Sequence, residues 1–168
     1  SLATIDSVRM NKRTVNPGEE LTLWVRLREY QGGEKVRKLR LQVPPGARGG
    51  TRAEILVCGA QTYGMLQRNL DPGFFNPGDF NGLIKRMEAV PSSTKIYVRA
   101  SFVRTGVRYA GAAMPELPSS VTNMLMHGTD SGRSTALVRD EKTSRDTPWV
   151  VQGSARLSVA VEEPRSAD

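Results

Sequence analysis

Residues 21–28 read "LTLWVRLR", and the eight positions alternate without a break. Leu21, Leu23, Val25 and Leu27 stand on one side; Thr22, Trp24, Arg26 and Arg28 stand on the other. A period of two is the period of a β-strand with one buried face; a helix would group its apolar residues three and four apart. Upstream, Pro17-Gly18 supplies a turn: proline presets its own backbone angle and glycine accepts a positive one. Downstream, "QGGE" at 31–34 supplies the next turn. Leu39, Leu41 and Val43 then alternate with Lys38, Arg40 and Gln42.

The same rhythm runs through much of the chain. "SLATIDSVRM" at 1–10, "TRAEILVCG" at 51–59 and "STALVRD" at 134–140 read as strands. In "TKIYVRASFV", Ile96, Val98, Ala100 and Phe102 share a face, and Arg104-Thr105-Gly106 is expected to turn the chain so that "VRYAG" pairs back. "PPGARGG" at 44–50 cannot be regular structure, since two prolines and three glycines break any ladder. "EKTSRDT" at 141–147 reads as a polar loop. "PWVVQGSARLSVAVEE" reads as a closing strand that must find its partners in the first half.

Helical texture is confined to the middle. "QTYGMLQRNL" at 61–70 has one or two helical turns, weakened by Gly64. Asp79 reads as an N-cap, and Phe80, Leu83, Ile84 and Met87 follow at helical spacing. A second helix starts at Pro118-Ser119, with Val121, Met124 and Leu125 inside and a stop at Gly128. The expected fold is mainly β: an Ig-like or fibronectin-like β-sandwich of seven to eight strands, with two short helices inserted at about 79–90 and 118–127. One domain over 1–163 is expected, with a frayed tail at 164–168. The chain opens at Ser1 without methionine, which suggests an excised domain or a processed product.

Composition narrows the function classes. A hydrophobic share of 38% and a charged share of 24% are those of a soluble globular protein. No apolar run reaches the roughly 20 residues needed to span a bilayer. The single cysteine, Cys58, excludes an internal disulfide and any multi-cysteine metal site; at the end of an apolar run it reads as a buried structural thiol. No metal-ligand spacing and no phosphate-cradling loop occurs, so no cofactor is expected.

"HGTDSG" at 127–132 holds the one histidine, His127, close to Ser131. A serine nucleophile needs a base about 3 Å away and a third group holding that base still. A six-residue loop with two glycines shows no scaffold for either task. It reads better as a helix C-terminus followed by a polar turn, with the histidine favourably placed against the helix dipole. A serine hydrolase using His127 and Ser131 is therefore the last of the alternatives, and the chain is read as not an enzyme.

The charge is +7 and uneven: 11 Lys or Arg stand against 6 Asp or Glu up to Leu56, and 13 against 11 after it. If the second and third strands form a hairpin centred on Gly33, Arg28 faces Lys38 and Arg26 faces Arg40, with Trp24 next along. Like charges directly opposed are unfavourable and invite an anion: an acidic glycan, a nucleic acid or lipid head groups. Two facts weigh against this. Solvated arginines are ordinary, and an immunoglobulin order would part these strands into different sheets. Phe74-Phe75 either plugs the core beneath its loop or marks a docking patch.

"TVNPGEELTLWVRLREYQGG" resembles the Pro-Gly-Glu opening of many bacterial extracytoplasmic Ig-like modules. "FNGLIKRMEAVPSSTKIYVRASFVRTGVRYAGAAMPELPSSVTNML", followed by "WVVQGSARLSVAV", resembles the non-catalytic C-terminal region of bacterial proteins carrying a SpoIVB-type serine peptidase domain. The resemblance implies an envelope or secreted location, and an accessory role beside an enzyme in a longer chain. It carries over no catalytic residue. The expected function is docking to a neighbouring domain or protein partner, with binding of an acidic polymer through Trp24, Arg26, Arg28, Lys38 and Arg40 as the alternative.

Overall fold

A computed structural model describes residues 1–70, 90–109, 112–115 and 134–163. Alternation becomes strand wherever one side of the chain can be buried. In chain order the elements are β1 (Leu2–Met10), β2 (Thr14–Val15), β3 (Glu20–Glu29), β4 (Glu34–Gln42), β5 (Arg52–Cys58), α1 (Ala60–Leu70), β6 (Lys95–Tyr109), β7 (Ala112–Pro115), β8 (Ser134–Asp146), β9 (Val150–Gln152) and β10 (Ser154–Val161). The protein is mainly β, with two sheets and one helix among the described residues.

The first sheet has the order β4-β3-β1-β9, antiparallel except where β9 joins β1 in parallel. The second runs β2-β10-β5-β6. Residues 97–101 of β6 pair with both β5 and β8, so those two strands lie on opposite edges of β6. Residues 107–109 pair with both β7 and β8, so β7 continues the β5 edge. Leu23, Val25, Leu27 and Leu41 of the first sheet join Ile55, Val57, Val98 and Phe102 of the second in one buried cluster. Each such side chain contributes roughly 1.5–3 kcal/mol on leaving water.

The chain changes sheets between β1 and β2, β2 and β3, β4 and β5, and β8 and β9, and last at Gly153. There φ is 88°, a left-handed angle that side chains resist, and it swings the chain from β9 in the first sheet to β10 in the second. What reads as one closing strand is thus two. The second of them finds first-half partners as expected: β10 lies antiparallel to β5 and parallel to β2.

Four other readings change. No turn forms at 104–106: β6 runs on to Tyr109, and a register shift between Val103 and Val107 absorbs the irregularity. The "EKTSRDT" segment is strand as far as Asp146, because β6 offers it a full ladder from Lys95 to Val103. The described helix is α1, at the segment where Gly64 argued for only a turn or two. The β3–β4 hairpin is not centred on Gly33: Arg28 lies opposite Glu34, Arg26 opposite Val36 and Trp24 opposite Lys38. This differs from the expected pairing by four positions. Four is even, so each side chain keeps its face while every cross-strand partner changes. β3 and β4 also share one sheet, unlike the second and third strands of an immunoglobulin order. The expected helices at 79–90 and 118–127 and the tail at 164–168 lie outside the described residues, Val90 apart.

Candidate functional site

The hairpin sends Trp24, Arg26, Arg28, Lys38 and Arg40 to the solvent side of the first sheet, so all five share one face. Their charges are interleaved with acids. β1 carries a bulge between Ile5 and Ser7, which leaves Asp6 without an opposite number on β3. Its carboxylate accepts a hydrogen bond from Arg28 at 3.0 Å and lies 3.9 Å from Arg26. Arg26 also lies 3.8 Å from Glu34, and Arg40 3.5 Å from Glu20. The basic stripe is a mixed-charge surface.

At the centre of that surface is an apolar spot. Trp24 is 37% exposed and Val36 54%, and with Ser7, Arg9 and Arg26 they line a shallow depression of about 330 Å³. Arg9 lies opposite Trp24 on β1, and Lys38 opposite it on β4. Neither has an ion pair among the described residues. The tryptophan is therefore flanked by two uncompensated cations.

The outer side of the second sheet is built differently. α1 lies over it, with Tyr63 stacked on Tyr97 at 4.4 Å between ring centroids. Cys58 is buried beneath, and burial pushes its thiol up to about 11. That removes the thiolate a nucleophile requires. Beside the helix, Arg99 is only 11% exposed and forms a close ion pair with Asp140, whose other oxygen accepts from Ser101 at 2.8 Å. Burial works to raise Asp140, but the hydrogen bonds from Arg99 and Ser101 outweigh it and hold the carboxyl below its usual range. An anchored arginine–carboxylate pair of this kind secures β8 to β6.

Phe74, Phe75, His127 and Ser131 lie outside the described residues. Among the described residues no group of three or more His, Cys, Asp or Glu could hold a metal ion, and no helix is long and apolar enough to cross a membrane. Three features escaped the sequence reading: Asp6 between two arginines, Val36 beside Trp24, and the Arg99–Asp140 pair. The first had a signal. Apolar positions step from Ala3 and Ile5 to Val8 and Met10, a change of phase that marks the bulge. The other two depend on register and on what covers a face.

Comparison with protein-family models, with curated proteins and with solved structures finds no match to this chain.

Proposed function

We propose that the chain is a non-enzymatic interaction module whose two sheets form a β-sandwich with β3 and β4 in one sheet, outside the immunoglobulin order. It docks to a neighbouring domain or protein through the solvent face of β1, β3 and β4. In keeping with the resemblance to regions beside SpoIVB-type peptidase domains, its setting is a larger extracytoplasmic bacterial protein.

The observation that carries this reading is the Trp24–Val36 spot ringed by arginines and by Asp6, Glu20 and Glu34. Exposed aromatic side chains beside arginine are what protein interfaces enrich, with a polar rim around them. A polyanion track needs an unbroken run of cations, and here three carboxylates interrupt it. The free charges of Arg9 and Lys38 favour a partner with carboxylates around an apolar contact.

A photo-crosslinking residue in place of Val36, in cells making the protein, is expected to give a protein adduct that the same group at Tyr30 does not. Arg9→Glu with Lys38→Glu should abolish it. An adduct to glycan or nucleic acid, or heparin retention that survives beyond about 150 mM salt, would install the acidic-polymer reading instead.

A further inference from the structure

β4 is an edge strand. Its nine residues pair with β3 in unbroken register, and no described strand is hydrogen-bonded to its other edge, beside which β8 of the second sheet packs. In an antiparallel pair, successive residues turn their N–H and C=O alternately toward the partner and away from it. Val43 donates to Glu19, and Gly33 accepts from Glu29, so the odd-numbered residues face β3. Val36, Lys38 and Arg40 therefore present their backbone groups to the free edge, about 6.8 Å apart along the strand.

Two carbonyls on that edge are occupied. Arg37 donates to the Val36 carbonyl at 3.1 Å, and the guanidinium of Arg145, reaching across from β8, donates to the Lys38 carbonyl. Both caps are single side-chain bonds from exposed or half-buried arginines. A trough of about 460 Å³, lined by Lys38, Leu39, Arg40, Thr143, Ser144 and Arg145, follows the edge between β4 and β8. Arg40 shares its charge with Glu20, while Lys38 and Arg145 have no ion pair among the described residues.

We propose that the free edge of β4 accepts an extended acidic segment of a partner protein as an added strand, with Arg145 as a displaceable plug. The incoming backbone takes the N–H and C=O groups of Val36, Lys38 and Arg40. Its own N–H replaces the guanidinium at the Lys38 carbonyl. The Lys38 ammonium, on the solvent face, then meets carboxylates on alternate residues of the added strand. Each capped carbonyl exchanges one donor for another, so no buried group is left unpaired. Main-chain bonds give the affinity and side-chain charge gives the choice of strand. The proposal does not require the Trp24 face to be a docking surface.

The test uses a fluorescein-labelled peptide of about eight residues, a common strand length, alternating Thr and Glu. Saturable binding is expected, with slowed amide exchange at Val36, Lys38 and Arg40 but little change at Arg37 and Leu39. N-methylation of alternate peptide residues keeps the charge and removes ladder donors; affinity should fall about tenfold or more. Lys38→Glu should shift preference from the Glu peptide toward a Thr-Lys one. Equal binding of the N-methylated peptide would show charge attraction alone and overturn the proposal. So would absence of binding. Protection of the same amides that rises with protein concentration, without peptide, would assign the edge to a second copy of the chain instead.

Discussion

The two sheets share one interior and differ on their outer sides. In the first sheet, the outward residues of β3 and β4 set Trp24 and Val36 among solvated charges, and each outward arginine leans on an exposed acid. In the second, the outward side of β5 and β6 is roofed in part by α1, and Arg99 is drawn down to 11% exposure against Asp140. Arginine on a strand thus has two meanings. On the open face it is a replaceable element of a recognition surface; under the roof it is a fastening. The difference lies in what the ion pair has given up to water, since a desolvated charge depends on its partner far more than a hydrated one.

Removing one partner from each kind of pair measures that difference. Asp140→Ala strands the Arg99 guanidinium with little water to replace the carboxylate, and should cost about 2–3 kcal/mol in denaturant unfolding. A loss below about 1 kcal/mol would mean the roofed face is as wet as the open one. The same pair sets an acid limit. Because Asp140 is held below the unfolded value near 3.9, its contribution is fully present above about pH 4. It is lost as the pH falls through the lowered folded value, so the Asp140→Ala penalty should shrink in acid. Unfolding curves of both proteins across that range would show it.

Gly153→Ala tests the link between the sheets rather than either face. A β-carbon would meet Thr4 Cγ2 at 3.4 Å with φ at 88°, so about 1–2 kcal/mol of destabilisation is expected. A neutral result would mean that the crossing tolerates another backbone angle. Tyr63→Leu keeps the bulk under the roof and removes the ring stack on Tyr97, for about 0.5–1.5 kcal/mol. With it, Cys58 should become reactive toward a thiol reagent that leaves the native protein untouched at mild alkaline pH. Equal reactivity in the two proteins would show that the helix does not guard the thiol.

The buried half of this architecture was legible because alternation is local. Leu21 to Leu27, Leu39 to Val43 and Ile96 to Phe102 announce their inner faces in the letters themselves, and all are buried. Pro17-Gly18 announces its turn, and Gly18 takes the positive φ of 84°. Register was not legible. A hairpin whose cross-strand partners shift by four positions keeps every leucine inside, so the interior cannot tell the two apart, yet the outer face changes from opposed cations to Arg28 beside Glu34. Strand ends suffered likewise. Residues 141–146 look like a loop because their partner β6, not their own composition, makes them a strand. The candidate site is read from outward residues and their neighbours, so it inherited the uncertainty of register, while the core did not.

The smallest expected effect is the most informative about the open face. Arg28 is well exposed, and its bond to Asp6 spans a bulge in contact with solvent. Such pairs contribute about 0.2–1 kcal/mol, because water compensates the loss of either partner. Asp6→Asn should therefore change stability by less than about 0.5 kcal/mol. It also raises the net charge by one, frees Arg28 and leaves Arg26 with Glu34 alone, near Trp24. If the bulge exists to temper a recognition surface, the variant should bind heparin more tightly and lose that gain in salt. If instead Asp6→Asn costs as much as Asp140→Ala, the bulge is a fastening too, and the contrast between the two outer faces disappears.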